Sequence, residues 1–144
     1  MKNMGLFNFG GAKPEIKDEK EGYLAIIYAA IAADGIVEQE EINALLVTIA
    51  NKSIFRGLDL NDAFKRIQKI HKESGTVKGI IEAAAPKISE GYKATVFATA
   101  VDFMLSDGTV ASAEEQMLYD LKSALNISDS MAKNIVDVIV IKNK

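Results

Sequence analysis

The sequence has 144 residues, a formal net charge of −3, 49% apolar residues and no cysteine. Without a thiol, disulfides, cysteine nucleophiles and zinc–cysteine sites are excluded. The basic residues form no stripe, and no apolar run reaches the roughly 18 residues of a membrane-spanning helix, so neither a nucleic-acid partner nor a membrane-spanning segment is expected. We expect a cytoplasmic protein.

The beginning of the chain divides into a leader and a long helix. Residues 1–14, rich in Gly and Asn, are predicted to be a flexible N-terminal leader, and residues 15–144 a single helical domain. The first helix can begin at Pro14, because proline suits a first helical turn, and it ends at Gly35. Gly22 is a weak point, which can separate its acidic part from its apolar part.

The leader carries three large apolar residues near its centre, Leu6, Phe7 and Phe9. These side chains either contact a membrane or a partner, or they dock on the helical domain as part of a poorly ordered terminus. Its glycines do not form a phosphate-binding loop, because the full pattern of such a loop is missing and a proline follows Lys13.

Three further helices are predicted in the first part of the domain. The second runs from about residue 38 to residue 51. The third has Asp59 or Asn61 as its N-cap and ends at Gly75, and the short fourth helix is capped by Thr76 and broken by Pro86. The predicted inner face of the second helix consists of Ile42, Leu45, Leu46 and Ile49.

The remaining chain predicts helices five to seven. The fifth is capped by Ser89 and ends at Gly108, and Ser128 caps the last one. The β-branched run 135–141 is typical of a strand, but no partner strand is visible, so we predict a helix. The inner faces of the sixth and seventh helices are predicted to be Met117, Leu118, Leu121 and Leu125, and Met131, Ile135, Val138 and Ile139.

The total is an all-α fold, a compact bundle of about seven helices with an internal two-fold pseudo-repeat. The repeat is indicated by the pattern Asp-Gly-x-Val-x-x-x-Glu, which begins at Asp34 and again at Asp107, 107 − 34 = 73 residues later. Each copy follows an apolar helix and opens the next one. The sequence does not say whether the two turns lie close together.

The repeated pattern matches the second half of an EF-hand calcium loop, with glycine at loop position 6 and a glutamate at position 12. Those glutamates are Glu41 and Glu114. The first half is missing, because loop positions 1 and 3 hold only apolar side chains, namely Ala30 and Ala32 in one copy and Phe103 and Leu105 in the other.

Three interpretations of the turns stay open. The acidic residues can stabilise the N-termini of the following helices without any ligand. They can hold a divalent cation, Ca, Mg or Mn, through Asp34, Glu41, Asp107 and Glu114, with backbone oxygens and water completing the site. They can also form a docking face for a basic partner.

Little in the sequence indicates an enzyme. His71 is the only histidine, and its predicted place at the end of a helix explains it without chemistry, because a cation is favoured there. Asp102, on the fifth helix, faces either solvent or the Asp107 turn. The four tyrosines are predicted to lie at the rim of the core with hydrated hydroxyl groups: Tyr23, Tyr28, Tyr92 and Tyr119.

With its doubled motif, the chain from about residue 20 to its C-terminus resembles the TerB-like family of tellurite-resistance proteins. The resemblance implies a compact helical fold of about seven helices, a cytoplasmic stress-response role without an organic cofactor, and protein partners in a complex near the membrane. By motif it implies metal binding at Asp34, Glu41, Asp107 and Glu114. The alternative is a purely structural interaction domain with no metal site.

Overall fold

The computed structural model describes residues 15–33, 39–105 and 112–144, and these residues form seven α-helices, two 3₁₀ turns and no strand. The all-α prediction is therefore confirmed. The predicted internal repeat is not confirmed and stays a prediction. The helices are α1 (Glu19–Ala32), α2 (Gln39–Asn51), α3 (Leu60–Ser74), α4 (Val77–Ala84), α5 (Glu90–Leu105), α6 (Ser112–Ala124) and α7 (Asp129–Lys142), with 3₁₀ turns at Ser53–Phe55 and Ala85–Lys87.

Local side chains begin and end several helices where the sequence predicted. Asp59, Thr76 and Ser128 each accept a hydrogen bond from a backbone N–H in the first turn of α3, α4 and α7. Gly75 ends α3 in the left-handed conformation, with φ of 74°, and its N–H donates to the carbonyl of His71. These ends depend on neighbours in the chain, which is why the sequence predicts them well.

The start of the first helix was predicted wrongly. Helix α1 begins at Glu19 rather than at Pro14, because the Asp18 side chain accepts a hydrogen bond from the N–H of Glu21 and caps the helix. The first backbone N–H groups of a helix have no partner within the helix, and an aspartate at the N-cap accepts a hydrogen bond from one of them. A helix beginning at Pro14 would follow Lys13, whose side chain cannot accept such a bond.

Helix α1 is the centre of the molecule. It packs mainly against α4 and α5 and also contacts α3 and α6. The apolar residues of α1 lie on every side of the helix, as expected for a helix enclosed by others. Most of its residues are buried, from Glu21 to Ile27 and from Ala29 to Ala32.

Gly22 does not interrupt α1, as the sequence allowed, but lets α4 come close. A Cβ atom at this position would lie 3.2 Å from the Ala84 carbonyl oxygen and 3.3 Å from the Ile88 side chain. The missing side chain therefore permits the contact between α1 and the end of α4. The helix continues through Gly22 because packing outweighs the roughly 1 kcal/mol of helix propensity that glycine costs.

Tyr23 is a core residue and not, as predicted, a rim residue. Its ring is fully buried and contacts the rings of Phe55 and Tyr92, with centroids 5.1 and 6.5 Å away. Its hydroxyl lies 2.7 Å from the Thr99 Oγ1, and that oxygen in turn donates to the Thr95 carbonyl. The tyrosine therefore donates to Thr99, which satisfies a polar group that no water reaches.

Helices α2 and α7 bury much less than their periodicity predicted. Only Leu45 of α2 and only Ala132 of α7 are buried. Contrary to the prediction, Ile42 and Leu46 of α2 and Met131 and Val138 of α7 are exposed. The inner face of α6 is closer to the prediction, since its residues Met117 and Leu121, and Leu125 after it, are buried.

None of the described helices is long and apolar enough to cross a membrane.

Because α4 lies so close to Gly22, replacing this glycine should destabilise the protein much more than replacing Gly91 of α5. Gly22→Leu should lower the free energy of unfolding by about 1–3 kcal/mol, because the new side chain must push α4 away. Gly91→Leu in α5 should change it by less than about 1 kcal/mol, because no atom other than its chain neighbours and the adjacent backbone of its own helix lies within 4 Å of the added Cβ. Urea unfolding of both variants measures this, and equal losses would contradict the packing role of Gly22.

Candidate functional site

The two Asp-Gly turns lie between consecutive helices, the first between α1 and α2 and the second between α5 and α6. Asp34 and Asp107 lie outside the described residues. Glu41 and Glu114 are described, and each is the third residue of the helix that follows its turn. Among the described residues no three acidic or histidine side chains are grouped so that they could hold a metal ion.

Where an EF-hand has its first metal ligands, both motifs have helix. Ala30 and Ala32 are buried within α1, and Leu105 is buried within α5. Phe103 is also part of α5 and packs against the core. Neither motif can therefore supply the first half of a calcium loop, and ligands other than the acidic residues would have to be backbone oxygens and water.

A polar cluster that the sequence analysis missed lies at the beginning of α1. The Glu21 side chain is 1% exposed and receives hydrogen bonds from the Arg66 Nε, at 2.9 and 3.0 Å. The backbone N–H of Lys17 donates to the same carboxylate at 2.9 Å. Arg66 also forms an ion pair of 2.8 Å with Asp62, one turn earlier on α3. The guanidinium thus joins α3 to the central helix.

The pKa of Arg66 is raised above its ordinary value, chiefly because its guanidinium donates hydrogen bonds to Glu21, with Asp62 adding to the effect. The arginine therefore stays charged at every physiological pH. Its charge compensates a carboxylate that would be costly to bury alone. We interpret the pair as structural, because the guanidinium occupies the direction from which a cation would approach Glu21.

A signal for this cluster was present in the sequence. Asp18 followed three residues later by Glu21 is a variant of the capping-box pattern that marks a helix start. The partner Arg66 gives no such signal, because it lies 45 residues away and is brought near only by the packing of α3.

An apolar groove opens on the opposite end of α1, where α2 and α3 meet it. Its volume is about 320 Å³. The rings of Tyr28 and Phe64 meet edge to face in its wall, with centroids 6.4 Å apart. The groove is lined by Tyr28, Ile31, Ile42, Leu45, Phe64 and Gln68.

The sequence matches a family model over residues 20–136, which is most of the chain, and that family is described as tellurite resistance protein TerB. The chain belongs to the TerB family. Comparisons with curated proteins and with solved structures give no match. The resemblance carried by the two Asp-Gly turns is thereby confirmed, and the helical fold agrees with that of a TerB domain.

The other polar residues considered in the sequence have structural partners in this TerB-family chain. His71 lies in the last turn of α3, as predicted, and its ring meets that of Tyr28 edge to face at 6.1 Å. Asp102 faces the C-terminal end of α7, where it pairs with Lys142 at 3.2 Å and accepts a hydrogen bond from Asn143 at 2.9 Å. Tyr119 is exposed.

The buried carboxylate predicts that removing its arginine is costly. Arg66→Met should lower the free energy of unfolding by about 3–5 kcal/mol, because Glu21 is left buried without its charged partner. Asp62→Asn removes only the exposed partner of the same arginine and should cost less than about 1 kcal/mol. Denaturant unfolding at pH 7 compares the two. A similar cost for both would show that backbone donors alone satisfy Glu21.

Proposed function

We propose that this TerB-family protein is a non-enzymatic stress-response module. It binds a divalent cation, Ca, Mg or Mn, at its acidic turns and docks to protein partners, including partners in a membrane-associated complex. The residues proposed to hold the cation are Asp34, Glu41, Asp107 and Glu114.

The observation that supports the cation is the equivalent position of the two glutamates. Each is the third residue of a helix that follows an Asp-Gly turn, so that each turn offers an aspartate and a glutamate seven residues apart. Carboxylate oxygens are the ligands that Ca, Mg and Mn prefer. Two carboxylates per turn can bind only weakly by themselves, so backbone oxygens and water must complete the coordination.

The alternative is a structural interaction domain in which the acidic residues bind no metal. It is favoured by the two acidic residues in the first turn of each helix, Glu40 and Glu41 in α2, and Glu114 and Glu115 in α6. A helix N-terminus carries a partial positive charge, which stabilises carboxylates there without a cation.

The cation proposal predicts a change in thermal stability. At a cation concentration of 100 times the dissociation constant, the folded state should gain about 2.7 kcal/mol relative to EDTA. Calorimetric melting in EDTA and in millimolar Ca, Mg or Mn measures the gain. Asp34→Asn and Asp107→Asn should each reduce it if both turns bind, while Asp137→Asn on the exposed side of α7 should leave it unchanged. An unchanged midpoint with every cation would favour the structural alternative.

Docking to a protein partner is supported by the exposed apolar side chains of α7. Val138 is 62% exposed and Ile141 69% exposed, although both lie in a regular helix. Exposed apolar residues that are neighbours on a helix surface are typical of interaction sites.

We therefore expect Val138→Asp to weaken the binding of any partner that copurifies with the full chain. Ser130→Asp adds the same charge at an exposed polar position of the same helix and should leave binding unchanged. Affinity purification at equal expression, followed by quantification of the bound partner, compares the two variants. Equal recovery with both would exclude this face of α7 as the docking surface.

A further inference from the structure

The groove between α1, α2 and α3 is an apolar site that the acidic turns do not use. Its walls are four aliphatic or phenyl side chains and the ring of Tyr28, with Gln68 as the only amide. Helix α2 forms one wall but is held loosely, since Leu45 is its only buried residue. Its Ile42 is 37% exposed and its Leu46 is 44% exposed. None of the described residues fills the groove.

We propose that the N-terminal leader of the same chain binds this groove, with Phe7 and Phe9 inserted between α2 and α3. The leader has the required chemistry, because Leu6, Phe7 and Phe9 are apolar and spaced so that two of the three face the same side of an extended chain. An aromatic wall formed by Tyr28 and Phe64 suits phenyl rings, which prefer edge-to-face contacts.

Charge bears on the orientation of the leader in the groove. Residues 1–14 contain Lys2 and Lys13 and no acidic residue. On the α2 wall, Glu40 and Glu41 stand directly before Ile42 in the first turn of the helix. On the α3 wall, Lys65 and Lys69 directly follow Phe64 and Gln68 and are exposed. A leader with apolar side chains in the groove is therefore expected to turn its lysines toward the first turn of α2 and away from α3.

The length of the leader is sufficient to reach the groove. From Glu19, where α1 begins, to Tyr28 and Ile31 the helix rises about 14–18 Å, at 1.5 Å per residue. Between Phe9 and Glu15 an extended chain spans about 20 Å, and between Leu6 and Glu15 about 30 Å. Residues 6–9 can therefore lie over the groove without any change in the helices.

The absence of cysteine from the natural sequence allows a clean test. One variant of the full chain carries Gly11→Cys and Gln68→Cys, which pairs the leader with the groove, because residue 11 lies on the same side of an extended chain as Phe7 and Phe9. A matched control carries Gly11→Cys and Ser123→Cys, which pairs the leader with the α4–α6 surface, where no residue of the groove is found. Equilibration in glutathione buffers then gives the effective concentration of the two thiols in each variant.

We expect an effective concentration for the groove pair at least about tenfold above that of the control pair, because tethering alone already supplies about millimolar values to any site that the leader can reach. Adding Phe7→Ser and Phe9→Ser to the groove pair should reduce it to the level of the control. Equal values for the two pairs would overturn the proposal. So would disulfides that form between two molecules, which would identify a second copy as the occupant.

A second measurement does not require a disulfide. In the natural sequence, phenyl rings beside Ile42 should shift its δ1 methyl resonance upfield, and Phe7→Ser with Phe9→Ser should remove that shift. Asn8→Ser, a change between the two phenylalanines, should keep it. An unchanged Ile42 resonance in the double variant would overturn the proposal, and it would leave the cation proposal unaffected.

Discussion

The burial of α1 on all sides is the constraint on which the rest of the structure depends. The polar side chains of a helix enclosed by its neighbours cannot reach water, so each of them needs a hydrogen-bonding partner in another helix. Glu21 has Arg66 of α3, and the hydroxyl of Tyr23 has Thr99 of α5. These contacts also fix the rotation of α1 against two different helices, which apolar packing alone specifies less precisely.

The same constraint shapes the first acidic turn. Because α1 stays buried up to Ala32, the positions that carry ligands in a calcium loop are occupied by small core residues. In the described part of this motif, carboxylate oxygens begin with the first turn of α2, where Glu40 and Glu41 lie. Helix α5 is also buried up to its last residues, Met104 and Leu105, which lie just before the second motif. In the two motifs, carboxylate ligands for a cation can therefore come only from the acidic residues that follow these core positions.

Features determined by nearby residues could be predicted from the sequence, and features determined by distant ones could not. The caps at Asp59, Thr76 and Ser128 follow from their own first turns. The Glu21–Arg66 pair joins residues 45 positions apart, and no local pattern marks Arg66 as the partner of Glu21. Periodicity showed which residues of α2 and α7 share a face, but a shared apolar face is buried only if another element covers it. For Leu46 and Val138, none of the described elements does.

Helix α2 connects the two proposed sites. Glu41, a proposed cation ligand, is followed directly by Ile42, which lines the groove. Since Leu45 is the only buried residue of α2, few contacts oppose a movement of this helix, and a small binding energy at either site can change its position. If a cation bound by Glu41 moves the first turn of α2, the part of the groove wall that Ile42 forms moves with it, because the two residues are adjacent. Thermodynamic linkage then requires the reverse effect: a leader bound in the groove must alter the affinity for the cation by the same factor.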